Sequence, residues 1–409
     1  MSHFADLNGQ SDRTDTAGLR HIRWLVRCLS LVAAILVLLA ARQSRWPVLV
    51  PALSPFIAVG SLLATRVVVA TACLGLGVGF IAMLRPRWFC RWICPLGLCV
   101  DTASRLGRRC GRNPAKRFSP GRWIVLLTLA GACLGYPLLL WLDPLAVFSG
   151  AFGITGSRTG WLMALPLFLV LTTSFVWPQI WCGRACPLGT FQDVLSHLAR
   201  YARTKREGPS PERWNPALAR RTVLGVAAGA TLAAITRSSQ SSGPRPLRPP
   251  GAIDEPEFRG LCVRCGNCIR ACPTHIIEPS LGHHGLAALL TPVLHFKENY
   301  CLVDCTKCMA VCPSGALVRL SPQDKGLKPI GLPRVDMSSC LLAEGRECTE
   351  CRRWCPHAAI RYAWSETEYT LIPEIDSRKC TGCGACEAAC PTKPNKAILI
   401  AAMEKKAGG

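Results

Sequence analysis

Cysteine is the residue whose type and spacing point most directly to chemistry in this 409-residue chain, which holds 25 of them. Sixteen fall into four short motifs, each closed by Cys-Pro. The first is Cys262-x2-Cys265-x2-Cys268-x3-Cys272-Pro273, and the fourth is Cys380-x2-Cys383-x2-Cys386-x3-Cys390-Pro391. Both match the run that binds four-iron, four-sulfur clusters, in which three thiolates hold one cluster and the fourth holds its neighbour. The second, Cys301-x3-Cys305-x2-Cys308-x3-Cys312-Pro313, and the third, Cys340-x7-Cys348-x2-Cys351-x3-Cys355-Pro356, are looser versions. Soft thiolates suit such clusters, and the sixteen cysteines as iron ligands imply four of them, in two close pairs. Structural zinc also takes four thiolates, but from two separated cysteine pairs and without a repeated x3-Cys-Pro ending.

A second cysteine pattern lies earlier. Cys90-Arg-Trp-Ile-Cys94-Pro95-Leu96-Gly97 recurs 92 residues later as Cys182-Gly-Arg-Ala-Cys186-Pro187-Leu188-Gly189, and Asp101 and Asp193 keep the same offset. Four thiols brought together by such a duplication suffice for a further cluster, another metal or a redox thiol site. The alternative is a pair of structural helix-end turns with unligated thiols. Histidine is absent from the apolar segments and no Cys-x-x-Cys-His occurs, so no haem is expected. Asp143, before Pro144, is the acidic candidate for taking a proton from quinol; a helix-ending turn explains it equally well.

These residues need a scaffold. Half of the chain is hydrophobic. Trp24–Ala40, Val67–Leu84, Trp123–Trp141 and Trp161–Trp181 are apolar runs of about the ~20 residues that a membrane helix needs. A fifth run, Val223–Ile235, is shorter. The net charge of +23 is not a nucleic-acid stripe: residues 1–236 carry 26 Lys/Arg against 8 Asp/Glu, whereas 237–409 carry 22 against 17. The stretch 85–122 holds ten Lys/Arg and 182–221 holds eight, against three in 42–66 and one in 141–160, which sets the basic loops on the cytoplasmic side. Arg23-Trp24 with Ser54-Pro55, and Arg122-Trp123 with Asp143-Pro144, extend the internal repeat to two helix pairs.

The expected fold is therefore an all-α membrane bundle of four helices plus a short fifth signal-anchor helix, followed by an α+β ferredoxin-like domain with four clusters. Its parts are a disordered tail over 1–20, the membrane domain over 21–200, a basic loop and anchor over 201–236, a Ser/Pro linker over 237–256, and the cluster domain over 257–402. Arg220-Arg221 before the thirteen-residue run reads as an internal twin-arginine export signal, which carries folded proteins outward. Plain positive-inside charge is the alternative.

At this point the chain resembles known families. Residues 257 to 402 are similar to the NapG/MauM four-cluster ferredoxin-type proteins, with four motifs in order, Gly345 inside Cys340-x7-Cys348, and Cys380-Thr-Gly-Cys-Gly-Ala-Cys-Glu. Residues 21–200 resemble the NapH/MauN membrane subunits, so the chain looks like a fusion of the two. Between Cys186 and Cys262 there is no cysteine, where NapH-type subunits carry a further ferredoxin pair. The resemblance implies a multi-pass protein of the bacterial inner membrane with its cluster domain in the periplasm. It also implies electron transfer from membrane quinol to a periplasmic oxidoreductase, such as nitrate reductase, or to that enzyme's carrier. The competing function is assembly or redox maintenance of a periplasmic metalloenzyme such as methylamine dehydrogenase. Within the cluster domain, the resemblance pairs motif one with motif four and motif two with motif three.

Overall fold

The computed structural model describes residues 17–39, 45–113, 119–155, 159–204, 216–238, 245–367 and 369–403. Of the expected tail over 1–20, residues 1–16 lie outside these residues, as does the linker centre at 239–244, whereas 17–20 are the first turn of a helix. Among the described residues, the longer helices of the N-terminal part are α1 Ala17–Leu39, α2 Pro55–Thr65, α3 Ala72–Leu84, α4 Pro95–Arg109, α5 Gly121–Cys133, α6 Pro144–Ala151, α7 Leu165–Val176, α8 Pro187–Thr204 and α9 Pro216–Ser238, with shorter helical turns between them.

Among the described residues only α1 is by itself long and apolar enough to cross a membrane. Trp46–Ala52 and α2 pass the same test together but are bent by 90°, and α3, α5, Gly160–Val176 and Thr222–Ser238 are apolar and shorter. Two expected runs are therefore corrected. Val67–Leu84 does not begin as helix: Arg66 turns left-handed at φ 55 to cap α2, and α3 starts only at Ala72. Trp123–Trp141 breaks at Cys133, because Gly135 reverses the chain at φ +80 and Pro137 follows.

The repeat survives in the fold. Ser54 caps α2 by accepting the Ile57 N–H, and Asp143 caps α6 by accepting those of Leu145 and Ala146. A proline stands at the first helical position of each, where the missing donor costs nothing. The Cys-Pro-Leu-Gly turns then begin α4 and α8, and their Leu96 and Leu188 are both fully buried. The ion pairs Arg27–Asp101 at 2.6 Å and Arg87–Asp193 at 2.5 Å tie α4 and α8 back to the bundle. Helix α9 lies along α5, where Gly229 lets the two backbones meet.

The C-terminal part has three two-stranded antiparallel sheets: β1 Ile277–Pro279 with β2 Pro292–Leu294, β3 Leu332–Val335 with β6 Ile398–Ala401, and β4 Ile360–Ser365 with β5 Thr370–Ile375. Its apolar core is small, centred on the fully buried Phe258, Leu261, Ile269, Ile277 and Phe296. Cysteines fill much of the remaining interior.

Candidate metal centres

None of the 25 cysteines is paired in a disulfide. The sixteen motif cysteines gather into four groups of four. Cys262, Cys265 and Cys268 share a cavity of about 410 Å³ with Cys312. Cys301, Cys305 and Cys308 share one of about 320 Å³ with Cys272. Cys380, Cys383 and Cys386 share one of about 300 Å³ with Cys355. The thiols left over, Cys340, Cys348, Cys351 and Cys390, lie close enough to interact electrostatically: Cys340 with Cys348 and Cys390, and Cys351 with Cys348 and Cys340.

The last cysteine of each motif is thus handed to a neighbour, as the Cys-Pro spacing demands. The neighbour differs from the one the family resemblance implied. Motif one pairs with motif two, and motif three with motif four. The reason is local: Ala252 bridges to Leu317, and β1 and β2 fold motif two back onto motif one. Sheet β4–β5 follows Cys355 directly and closes motif three onto Cys380–Cys386.

The chemistry of these groups fits iron–sulfur clusters. Burial pushes Cys265 up to about 12 and raises Cys262, with neighbouring thiols adding to it. A bound metal reverses this by deprotonating its thiols outright. Backbone N–H groups already lie on several sulfurs: Leu317 N donates to Cys312 Sγ at 3.4 Å, and Ala359 N to Cys355 Sγ at 3.3 Å. Burial also raises Cys390, yet the Thr392 hydroxyl and nearby backbone N–H groups outweigh it, and its thiol ends below its ordinary value. Buried guanidinium atoms are orphaned beside the first group. Arg270 Nε and Nη1 and Arg264 Nε have no hydrogen-bond partner. Burial draws Arg270 down to about 10, opposed by the thiolates of Cys265 and Cys268, so it stays charged at neutral pH. A buried cation with open donors fits an anionic cluster. Among the described residues, no three His, Cys, Asp or Glu side chains converge closely enough for a single metal ion.

Cys90, Cys94, Cys182 and Cys186 also come together, near enough for each to feel the others' charge. Gln192 Nε2 lies 3.4 Å from Cys90 Sγ, and Gly189 N lies 3.5 Å from Cys186 Sγ. Gln192 Oε1, Arg27 Nε, Trp181 Nε1 and Arg184 Nη1 are buried there without partners. Asp143 is fully buried, accepts from Ser54 Oγ at 2.5 Å, and is close enough to Cys94 and Cys186 to interact with both. The segments before α2 and α6 turn back into the bundle. Asp143 thus lies beside the four thiols rather than at the far end of a straight helix from them.

The two parts dock through the first cysteine group. Ser149, near the end of α6, lies 3.2 Å from Cys265 O and 3.0 Å from Asn267 Oδ1, and accepts from Arg270 Nη2 at 3.0 Å. Asn267 Nδ2 donates to Pro47 O at 3.2 Å, Thr71 Oγ1 to Pro313 O at 3.2 Å, and the Arg264 guanidinium stacks 4.8 Å over Trp141. Sequence reading missed Ser149, Asn267, Arg270 and Lys325. The only signal was Arg270 sitting between two ligands of one motif.

Helices carrying paired cysteine turns, joined to a domain of paired four-thiol groups, define an iron–sulfur electron-transfer protein. A model described as a 4Fe-4S dicluster domain matches residues 261–316 and 346–393, the same two halves that share ligands. A second, described as a 4Fe-4S binding domain, matches 66–113 and 159–206, around the Cys-x3-Cys-Pro turns. The methylamine utilization ferredoxin-type protein MauM of Methylorubrum extorquens is 36% identical over 193 residues, covering 44% of this chain and 84% of its own. The ferredoxin-type protein NapG of Escherichia coli is 37% identical over 183 residues, covering 42% and 77%. The ferredoxin-type protein NapF of Escherichia coli is 32% identical over 145 residues, covering 36% and 80%. The chain belongs to the MauM/NapG ferredoxin-type family. No solved structure matches it.

Proposed function

We propose that this protein takes electrons from membrane quinol and delivers them to a periplasmic oxidoreductase, such as nitrate reductase, or to its carrier. In this reading residues 21–200 are a NapH/MauN-type membrane module fused to the ferredoxin domain. The bundle crosses the inner membrane, Arg220-Arg221 directs export of the folded domain, and that domain faces the periplasm. The sixteen motif cysteines hold four [4Fe-4S] clusters, and Cys90, Cys94, Cys182 and Cys186 hold one more cluster. When bound, such clusters take up and release single electrons.

The observation that carries the proposal is the contact of Ser149 with Cys265 and Arg270. It fixes the first cysteine group on the membrane module. Helix α6 starts at Asp143, beside the membrane thiols, and reaches Ser149 six residues later, roughly 9 Å along the axis. Buried apolar side chains around Leu140, Leu145 and Phe148 keep water out of this passage. Asp143 is the proposed proton acceptor from quinol. The second half of the ferredoxin domain keeps Cys340, Cys348, Cys351, Cys355, Cys380 and Cys383 partly exposed, which suits release to a partner.

The test adds a reduced quinol analogue to the protein in lipid under anaerobic conditions and follows the visible absorbance of the clusters. Bleaching in the full chain, slower in Asp143→Asn and absent after truncation at Arg237, supports the proposal. A second reading, assembly of a periplasmic metalloenzyme, draws on the relatives named for methylamine utilization. It prevails if quinol never bleaches the clusters while such an enzyme fails to mature without this protein.

A further inference from the structure

Three buried cations lie in the ferredoxin domain among its described residues: Arg248, Arg270 and Lys325. All three sit in its first half. Arg248 is neutralised by Glu255, with Nη2 2.6 Å from its carboxylate. The other two meet only neutral partners in their hydrogen bonds. Arg270 Nη2 donates to Ser149 Oγ and to Asn267 Oδ1, and its Nε and Nη1 are left open. Lys325 Nζ donates to three carbonyls of the second motif: Leu302 at 2.6 Å, Val303 at 3.0 Å and Cys305 at 2.9 Å. The anions within electrostatic reach are ligand thiolates, Cys265 and Cys268 for Arg270 and Cys301 for Lys325. Among the described residues after 335, no Lys or Arg is fully buried; the half-buried Lys396 donates to the Ala388 and Cys390 carbonyls at 3.1 and 2.6 Å.

We infer that Arg270, clamped by Ser149 of the membrane part, and Lys325 raise the reduction potentials of the first two cluster sites above those of the last two. Reduction adds one electron, and so one negative charge, to a site. A buried cation nearby stabilises that charge more than solvent does, because the surrounding dielectric is low. The half that docks on the membrane part is then the half that fills first. Ser149 is a positioning residue: it holds the Arg270 fork toward the thiolates and makes the first site's potential depend on docking. This rests on the iron–sulfur reading and adds an order to the four sites.

The experiment is a potentiometric titration of the full chain in lipid, followed by electron paramagnetic resonance, with iron measured on the same samples. Arg270→Gln is expected to move one high-potential centre to more negative values and leave the others unmoved. Arg270→Lys is expected to restore most of that shift. Ser149→Ala keeps the charge but frees it, and is expected to move the same centre by less. Lys325→Met is expected to lower a different centre. Unchanged midpoints in Arg270→Gln at full iron content overturn the inference. If Arg270→Gln loses iron, Ser149→Ala decides, and an unmoved centre there overturns it. A wild-type chain without iron sinks the iron–sulfur reading instead.

Discussion

Cys312 and Cys390 each end a motif, and each is given away to the preceding motif rather than kept. Single substitutions read this exchange directly. Cys312→Ser and Cys265→Ser are expected to perturb the same paramagnetic centre, whereas Cys272→Ser perturbs the one touched by Cys305→Ser. If Cys312→Ser instead disturbs the centre held by motif three, the pairing described above is wrong. Asp143 has two roles that separate by variant. Asp143→Ala removes a helix cap and is expected to cost about 1 kcal/mol or more, read as a lower midpoint in thermal unfolding. Asp143→Asn keeps a capping oxygen and most of that stability, so any slowing of quinol-driven reduction in it belongs to the carboxylate. The four cysteine motifs were legible from spacing alone, because each gap is a local property of the sequence. Arg270, Ser149 and Lys325 were not, since a buried cation has no periodic signature and its meaning depends on which elements pack around it.

At the scale of elements, two short helices outside the four long apolar runs matter most. Helices α2 and α6 are short, and sequence reading left both inside connections between spans. Their start was nevertheless written in Ser54-Pro55 and Asp143-Pro144, a capping oxygen followed by proline. Length and hydropathy point to straight spans, and Gly135, Pro137 and the left-handed Arg66 make the chain turn back. The contact of α5 with α9 gives a test of packing. A Cβ on Gly229 would stand 2.8 Å from Leu127 Cα, whereas one on Gly77 meets nothing within 4 Å. Gly229→Val is expected to destabilise by about 1–3 kcal/mol through overpacking, with Gly77→Ala close to neutral. Equal unfolding temperatures for the two variants would mean that α9 does not pack on α5 as described.

For the whole molecule, the arrangement is a helical module, a docked first pair of cysteine groups and a more exposed second pair. Topology follows from the proposed export. A reporter active only after export of a folded protein, fused to Gly409, is expected to work in the wild-type chain. It is expected to fail when Arg220 and Arg221 are both changed to lysine. Activity in a host without the twin-arginine translocase counts against that route, and a cytoplasmic C-terminus overturns the topology. The broad plan of apolar helices, linker and four motifs was legible because hydropathy and cysteine spacing are local properties. The docking was not, because it joins α6 to a residue more than a hundred positions away. The central claim is that sixteen cysteines hold iron–sulfur clusters. Its most direct measurement is iron, acid-labile sulfide and zinc in the anaerobically purified full chain with Cys90, Cys94, Cys182 and Cys186 all replaced by serine. The account expects roughly sixteen irons and as many sulfides per chain, with paramagnetic signals on reduction. Zinc in place of iron, or no signal on reduction, would contradict it.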